Sequence, residues 1–374
     1  MDTIAFYVHE TGLLKYFIEP ICSFLFYNYK IIVFHLGKRD SKTPLRSAYY
    51  ELIDVGDISV KEIGALIEKH NPKAVVFLGF VSIFELLMLR IVKKNNHKAI
   101  YLQHGIFSKN TISFPFQRII NSFSEVLRRN LYFLGCYFSF ILYSNQIKKE
   151  CVIFYNCLRR KKYNDTRFDK AIFFSKHGYS NINPSFGYNE EDVFLSGYPL
   201  AFSNDEFETY TNVALKKCTH SKKAIYIHQP FIADGLVKWS YEDEKVFILS
   251  IANDLELSGL KLEVLLHPRE SFKNYENKYK GTSIRIIQNI QKENYASYAL
   301  AIGHYSSALL YPLFFHIPIR IMNYDTIDCH NDNIFENSID EKNFDKYIFE
   351  YLGSGKYSFE NVADTVRKVL MSLN

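Results

Sequence analysis

The chain has 374 residues, of which 48% are hydrophobic and 23% are charged, and its formal net charge is +5. This composition excludes an intrinsically disordered chain, and the length fits about two domains of roughly 150 residues each. Six cysteines without a Cys-x-x-Cys pair exclude a disulfide scaffold and a structural zinc site, so we expect a reduced, cytoplasmic setting.

The first half of the chain alternates short apolar segments, rich in β-branched and aromatic residues, with segments of helical spacing. Helices are predicted at 59–70 and 82–94, and strands at 4–8, 31–35, 74–78, 99–103, 171–175 and 193–196. Strands that alternate with helices are typical of a parallel sheet covered on both faces. We therefore predict a Rossmann-like α/β domain at residues 1–205.

Residues 111–163 form a basic and aromatic helical insertion in this domain. They carry nine basic residues against two acidic ones, a local net charge of +7, and a 13-residue apolar run at 131–143. A helix of that length spans about 20 Å, too short for the roughly 30 Å hydrocarbon core of a bilayer. The pattern indicates either two buried helices with solvated basic ends or a surface for anionic lipid or a polyanionic acceptor. No nucleic-acid-binding motif is present, so nucleic acid is not an expected partner.

The strand pattern restarts after a polar stretch at 203–222. Strands are predicted at 224–228, 262–266, 284–287, 300–302 and 319–322, with a helix at 242–257, which gives a second Rossmann-like domain at 222–345. The amphipathic helix predicted at 359–373 closes the chain, and we expect residues 358–374 to pack back on the first domain. Two doubly wound domains of this kind are expected to face each other across a cleft, with ligands at the carboxyl ends of their strands.

Four predicted strand ends carry residues with useful chemistry. They are His9-Glu10-Thr11-Gly12, Gln103-His104-Gly105, His267-Pro268-Arg269 and His304-Tyr305-Ser306-Ser307. His267 can donate a hydrogen bond to a departing phosphate, and serine hydroxyls in the first turn of a helix can bind one. His104 can act as general base towards an acceptor hydroxyl. The structural alternative for each histidine is a hydrogen-bonded residue at a strand end, and for the serines an N-cap.

The order and spacing of these motifs resemble the bacterial sialyltransferase and polysialyltransferase group. His267-Pro268 and Ser306-Ser307-Ala308-Leu309-Leu310 match the His-Pro and Ser-Ser motifs, and Tyr226-Ile227-His228-Gln229-Pro230 resembles the strand and turn that open the nucleotide domain. The resemblance implies a GT-B fold and a CMP-activated donor of sialic acid or a related acidic sugar. It assigns donor binding to His267, Ser306 and Ser307, and we add Gln229, Pro230 and Tyr305.

The acidic pair that this group carries before a glycine is replaced here by Gln103-His104. We therefore predict His104 as the catalytic base, with Glu10 as the alternative and His267 assisting departure of the nucleotide. A neutral imidazole suits this task because its unperturbed pKa is about 6.5. The acceptor, a glycan or lipid-linked oligosaccharide, is expected to contact the residues of this domain's polar loops and basic segment: His9, Gly12, Gln103, Lys109, Arg159 and Arg160.

Two related families and one class without catalysis remain as alternatives. The CDP-glycerol and CDP-ribitol polyol-phosphate transferases carry His-Gly, His-Pro and Asp-Tyr-Ser-Ser motifs, although His304 stands at the aspartate position here. The turn Gly197-Tyr198-Pro199 resembles one found in both this family and the sialyltransferase group, and CMP-Kdo transferases share much of the pattern as well. A glycan-binding assembly protein is the alternative without catalysis.

The predicted role is transfer in capsule or lipopolysaccharide synthesis. Asp-x-Asp is absent from the sequence, so no cofactor and no obligatory metal are expected. No basic region followed by an apolar cleavable segment comes after Met1, so no signal peptide is expected, and we predict a cytoplasmic protein with peripheral contact at the inner membrane.

Overall fold

Two sheets, each in its own unit, carry the strands of the chain. The computed structural model describes residues 1–9, 11–36, 47–56, 58–79, 83–105, 123–158, 167–180, 188–216, 221–232, 239–304, 306–322, 335–340 and 342–373. Unit 1 consists of Met1–Gly105, Ser124–Asn204 and Gly353–Asn374, and unit 2 contains Asp205–Leu352. The strands are β1 Asp2–Val8, β2 Tyr29–His35, β3 Glu51–Asp54, β4 Ala74–Phe77, β5 Lys98–Leu102, β6 Lys170–Phe173, β7 Val193–Leu195, β8 Lys223–Ile227, β9 Lys261–Leu265, β10 Arg285–Ile287, β11 Leu300–Gly303, β12 Ile319–Met322 and β13 Phe335–Ile339.

Helices connect most of these strands. They are α1 Glu19–Leu25, α2 Val60–His70, α3 Ile83–Lys94, α4 Phe123–Tyr143, α5 Ile147–Leu158, α6 Asn204–Leu215, α7 Tyr241–Leu257, α8 Phe272–Lys278, α9 Leu310–Phe314, α10 Phe344–Tyr347 and α11 Phe359–Met371. Two turns precede α1 directly, Thr11–Leu13 and the π-helical Leu14–Ile18, and a 3₁₀ turn at Ser307–Leu309 precedes α9. The alternation of strands and helices confirms the predicted α/β class.

The sheet of unit 1 has seven parallel strands in the order β3-β2-β1-β4-β5-β6-β7. Helices α2 to α5 cover one face, and α1 and α11 cover the other, so that both faces of the central strands are buried. Burial on both faces explains why these strands read as continuous apolar runs. The order reverses between β1 and β4, which makes the carboxyl ends of these two strands the topological switch point of the sheet.

Helix α2 shows how local sequence sets these boundaries. The Ser59 hydroxyl accepts a hydrogen bond from the amide of Glu62 (3.3 Å), and the Glu62 carboxylate accepts one from the amide of Ser59 (2.7 Å). This capping box satisfies two amides that would lack helical partners. Asn71 then ends the helix in the left-handed conformation with a φ of 45°. The predicted helix at 59–70 is therefore observed with Ser59 as its cap.

Helices α4 and α5 lie in the segment predicted as a basic, aromatic insertion. Phe133, Tyr137 and Phe140 on α4 are buried in the core of unit 1, whereas the opposite face of the helix is exposed and apolar. The buried side agrees with the first alternative derived from the sequence, and a surface for anionic lipid or a polyanionic acceptor stays a prediction. Within the described part of the chain, no helix combines the length and the apolarity needed to cross a bilayer.

The sheet of unit 2 has six strands in the order β10-β9-β8-β11-β12-β13, and β13 alone is antiparallel to its neighbour. Its switch point lies between β8 and β11. Helices α7 and α8 pack on one face of the sheet. The polar stretch predicted at 203–222 contains helix α6, so unit 2 includes residues that the sequence pattern did not assign to it.

A buried ion pair fastens α5 to α3. The Arg90 side chain is 6% exposed and donates from Nη2 to Oε1 of Glu150 (2.7 Å) and from Nε to Oε2 (3.0 Å), while the Glu150 side chain is 3% exposed. Replacing Glu150 with leucine leaves a buried unpaired charge, and we expect a loss of about 3–5 kcal/mol of unfolding free energy in urea titrations.

The double variant Arg90→Met/Glu150→Leu should recover most of this loss, because it removes both charges. The control is Glu51→Gln in the exposed Lys30–Glu51 pair, which should change stability by less than about 1 kcal/mol. Equal losses in the single and double variants would contradict a cost that arises from the unpaired charge.

Candidate functional site

Three polar loops meet at the carboxyl edge of the sheet in unit 2. His228-Gln229-Pro230 follows β8, His267 follows β9, and Ser306 comes three residues after β11. These three strands are neighbours in the order β9-β8-β11, and hydrogen-bonded strands lie about 4.8 Å apart. The structure therefore brings the predicted donor-binding motifs to one edge of one sheet, at its switch point.

His267 is half-buried at the end of β9. Its Nδ1 accepts a hydrogen bond from the amide of Arg269 (3.3 Å). A nitrogen that accepts carries no proton, so the neutral ring has its proton on Nε2. This tautomer presents a donor, as binding of a phosphate oxygen requires. Contact of His267 with a donor substrate stays a prediction.

The two serines begin a helical segment whose first turn is a 3₁₀ turn. The Ser306 hydroxyl caps the following turn by accepting from the amide of Ala308 (3.3 Å), and Ser307 is exposed. The apolar run at 308–315 indicates one regular helix, and the structure has a 3₁₀ turn followed by the five residues of α9. Pro312 lies in the first turn of α9, where a proline is tolerated, and the helical segment ends at Phe314, close to the predicted end. The helix dipole is correspondingly small, and phosphate binding by Ser306 and Ser307 would rest on their hydroxyls.

Gln229 and Pro230 form a tight turn after β8. The carbonyl of Gln229 accepts from the amide of Phe231 (2.8 Å), and Pro230 and Phe231 are buried. The turn leaves Gln229 half-buried at the sheet edge. Its proposed contact with the donor stays a prediction, and Tyr305 lies outside the described residues.

His304 stands where the polyol-phosphate transferases carry an aspartate, and it is fully buried. Its Nε2 lies 3.3 Å from the Tyr226 hydroxyl, and its ring meets the Phe231 ring edge-on at 4.4 Å between centroids. Burial lowers the pKa of His304 to about 3, although a hydrogen bond with the backbone of Met322 opposes the shift. At neutral pH the side chain is therefore an uncharged part of the core and does not replace a carboxylate.

A buried polar network next to this edge was not predicted from the sequence. His228 donates from Nε2 to Oε1 of Glu244 (2.9 Å), and the other carboxylate oxygen accepts from the Tyr275 hydroxyl (3.0 Å) and from Lys278 Nζ (2.8 Å). Burial alone would raise the pKa of Glu244, but the hydrogen bonds and charges of His228 and Lys278 outweigh it and lower the pKa. The network joins β8, α7 and α8, and so ties the loop after β8 to the helix that follows His267.

His104 lies at the carboxyl edge of the sheet in unit 1, after β5. Its ring is half-buried, and its Nδ1 is hydrogen-bonded to the carbonyl oxygen of Leu78, at the end of β4. A carbonyl oxygen only accepts, so Nδ1 carries the proton and Nε2 has a lone pair. This is the tautomer that a general base needs, because Nε2 can take a proton from an acceptor hydroxyl.

Gln103 holds the loop that carries His104. It is 3% exposed, its Oε1 accepts from the amide of Phe174 (3.0 Å), and its Nε2 donates to the carbonyl of Gly105 (2.7 Å). A Cβ at Gly178 would lie 2.3 Å from this Oε1, so only glycine fits there. Gln103 is thus a positioning residue for the His104 loop, and its contact with an acceptor stays a prediction.

The residues after β1 differ from expectation in their backbone. The sequence indicates a loop in which Gly12 allows close approach of a ligand, but Gly12 lies in the helical turn Thr11–Leu13, and a Cβ there would meet nothing within 4 Å. The predicted loop was wrong because helical backbone begins at Thr11, three residues after β1 ends, whereas the contact of Gly12 with an acceptor stays a prediction. His9 is half-buried and meets the ring of Phe133 edge-on at 6.3 Å.

Four further predicted residues lie outside the described part of the chain, namely Glu10, Lys109, Arg159 and Arg160. Glu85, which was not predicted, brings a carboxylate to the same edge of unit 1. It is 4% exposed on α3, and its Oε1 would lie 2.6 Å from a Cβ at Gly79. Among the described residues, no group of three His, Cys, Asp or Glu side chains could hold a metal ion.

Comparisons with known proteins show the family and the fold of the chain. Residues 2–324 match the family described as Alpha-2,8-polysialyltransferase (POLYST). The glycosyltransferase of kitacinnamycin shares 8% identity at a TM-score of 0.55, with 99% of each chain covered. The wall teichoic acid polymerase TagF shares 12% identity at a TM-score of 0.50, covering 99% of this chain and 89% of the other. No curated protein matches the sequence.

The same fold also occurs in an enzyme that transfers no sugar. The UDP-N-acetylglucosamine 2-epimerase from Rickettsia bellii shares 12% identity at a TM-score of 0.50, covering 100% of this chain and 96% of the other. Likeness at such identities shows the fold alone. That fold, with its two parallel sheets and its polar carboxyl edges, is the GT-B fold of glycosyltransferases.

The family match is more specific than the fold. Because it spans most of the sequence, the chain belongs to the alpha-2,8-polysialyltransferase family. It is therefore a glycosyltransferase of the sialyltransferase type, as the His-Pro and Ser-Ser motifs predicted.

The buried His304 makes the protein sensitive to acid. An unfolded histidine binds a proton below about pH 6.5, whereas folded His304 stays neutral until about pH 3, so the unfolded state binds more protons in this interval. Its contribution to stability is complete above pH 6.5 and is lost as the pH falls. As the pH falls from 6 to 4, the unfolding free energy of the wild type should decrease by about 1.4 kcal/mol per pH unit more than that of His304→Gln.

Urea titrations at several pH values measure this difference as a difference in slope, which is independent of any constant loss caused by the substitution. Parallel pH dependences in the two proteins would contradict a neutral, buried His304.

Proposed function

We propose that the chain transfers sialic acid, or a related acidic sugar, from a CMP-activated donor to a glycan acceptor in the synthesis of a bacterial capsule or lipooligosaccharide. The observation that carries the proposal is the tautomer of His104. Its Nδ1 proton is held by the Leu78 carbonyl, and its Nε2 lone pair is the acceptor that a hydroxyl nucleophile requires. A protein that only bound glycans would not need this arrangement at a sheet edge.

Unit 2 holds the donor in this proposal. The Nε2 proton of His267 and the hydroxyls of Ser306 and Ser307 donate to oxygens of the CMP phosphate. Gln229, Pro230 and Tyr305 bind the remainder of the nucleotide. Since the phosphate gains negative charge as the bond to the sugar breaks, donors aimed at its oxygens stabilise the transition state more than the ground state.

Unit 1 binds the acceptor and activates it. Nε2 of His104 removes the proton of an acceptor hydroxyl while that oxygen attacks the anomeric carbon. The bond between the anomeric carbon and the phosphate oxygen breaks, and CMP leaves with the bonding electrons. Gln103 keeps the His104 loop in place through its two backbone hydrogen bonds. Glu10 is the alternative base, and His9, Lys109, Arg159 and Arg160 are proposed acceptor contacts.

In this proposal, hydrogen bonds from side chains stabilise the negative charge on the leaving phosphate, and no metal ion is obligatory. The absence of Asp-x-Asp from the sequence is consistent with this proposal. The proposed location is the cytoplasm, with peripheral contact at the inner membrane.

A CDP-polyol transferase is the second candidate, because His104-Gly105 stands where the sialyltransferase group has its acidic pair. In that reaction the acceptor oxygen would attack phosphorus instead of carbon. The neutral, buried His304 argues against it, since that family places a carboxylate at this position.

The test is His104→Ala, assayed as CMP release with CMP-sialic acid, CMP-Kdo and CDP-glycerol offered separately. We expect CMP-sialic acid to be the productive donor, and the variant to lose transfer by about 10²–10⁴-fold, the usual contribution of a general base. Binding of CMP should stay close to that of the wild type, because the proposed donor residues lie in unit 2.

The control is His97→Ala. The His97 ring also bonds a carbonyl through Nδ1, to Pro72 at 3.0 Å, but it precedes β5 and so lies at the opposite edge of the sheet. This variant should retain transfer. Transfer by His104→Ala at the wild-type rate would overturn the assignment of the base, and CMP release from CDP-glycerol alone would favour the polyol transferase.

A further inference from the structure

We infer that the exposed face of α4 and α5 docks on an anionic lipid bilayer. This face, called the α4–α5 face below, is formed by large apolar side chains that the fold leaves uncovered: Leu131, Phe138, Leu142, Ile147, Val152 and Tyr155. The inference concerns how the enzyme reaches its acceptor, and it holds whichever sugar is transferred.

The spacing on α4 makes the face continuous. Leu131, Phe138 and Leu142 are 58%, 54% and 70% exposed and stand at i, i+7 and i+11, so they share one side of the helix over about 16 Å. Gly135 lies between them with open space around it. No charged residue occurs from 131 to 147. A soluble helix normally carries charges on its exposed side, and the part of α4 from Leu131 to Tyr143 carries none.

The exposure results from firm packing on the other side. Phe133, Tyr137 and Phe140 point into the core, and Tyr137 meets Phe154 of α5 at 4.8 Å between ring centroids. The Tyr132 hydroxyl donates to the carbonyl of Gly56 (2.6 Å). Since α4 is held in this way, its outer face cannot turn inward to bury the apolar residues.

Charge and aromatic residues identify the partner. Lys148 and Lys149 are exposed beside Ile147, and the Lys94 ammonium lies 3.7 Å from the centre of the Tyr143 ring. An apolar strip bordered by lysines and tyrosines is the composition of surfaces that insert below the headgroups of anionic lipids. A polyanionic glycan would bind the lysines but would not require the exposed leucines. A second copy of the chain on this face would bring lysines of like charge together, which is unfavourable.

Docking of this face would hold the enzyme at the surface where a lipid-linked acceptor is concentrated. The helices would lie in the plane of the interface, since neither is long and apolar enough to cross the bilayer. Attraction between lysines and lipid should weaken with salt, whereas insertion of the apolar side chains should persist.

The experiment is sedimentation of the purified full chain with vesicles of phosphatidylcholine alone and with about one-third phosphatidylglycerol, a fraction that gives a strongly negative surface. We expect binding to the mixed vesicles, weaker binding to neutral ones, and a loss of about tenfold or more in the partition coefficient for Phe138→Ser/Leu142→Ser. Lys148→Glu/Lys149→Glu should abolish the preference for anionic vesicles.

The matched control is Leu257→Ser, a leucine that is 90% exposed on α7 in unit 2 and should not affect binding. Because all the substituted side chains are exposed, thermal unfolding should be unchanged, which excludes misfolding as the cause. Vesicle binding by Phe138→Ser/Leu142→Ser at the wild-type level would overturn the inference, as would failure of the wild type to bind either vesicle.

Two further measurements separate this inference from its alternatives. If light scattering shows a wild-type dimer that Phe138→Ser/Leu142→Ser converts to a monomer without change in vesicle binding, the face is an interface between copies. Transfer to a soluble acceptor should be equal in the wild type and this variant. Retained transfer without vesicle binding by the wild type would refute the docking surface and leave the proposed function standing.

Discussion

The parallel pairing of β8 with β9 on one side and with β11 on the other is the constraint on which the proposed donor site depends. Parallel strands end at the same edge of a sheet, so the loops after these three strands are neighbours although they are far apart in the sequence. Because β8 pairs in parallel with both β9 and β11, His267 and Ser306 follow strands that end at the same edge, as binding of one phosphate by both requires. The same strand order recurs in unit 1, where the ends of β4 and β5 bring Leu78 and His104 together.

Backbone hydrogen bonds set the proton positions on which the chemistry relies. The carbonyl of Leu78 fixes the His104 proton on Nδ1, and the amide of Arg269 leaves the His267 proton on Nε2. One ring thereby becomes a hydrogen-bond acceptor and the other a donor, as the proposed base and the proposed phosphate ligand must be. Gln103 and the Glu244 network hold neighbouring loops in place, so these orientations exist before substrate binds.

Most central elements could be predicted from the sequence because their strands are apolar on both faces. Strands β3 and β13 were missed because their sequences, Glu51-Leu52-Ile53-Asp54 and Phe335-Glu336-Asn337-Ser338-Ile339, carry charged and polar residues and contain no continuous apolar run. Glu85 and Glu244 were missed because a carboxylate on a helix normally marks the solvent side, and only tertiary packing shows that both are buried. The family motifs located His267 and the serines, but no pattern indicated that His304 is part of the core.

The central claim is that a cytidine phosphate binds at the carboxyl edge of unit 2. A crystal structure of the protein with CMP tests it most directly. The account predicts the phosphate within hydrogen-bond distance of His267 Nε2 and of the hydroxyl of Ser306 or Ser307, at the ends of β9 and β11. A nucleotide bound with its phosphate away from both motifs, or on unit 1, would contradict it.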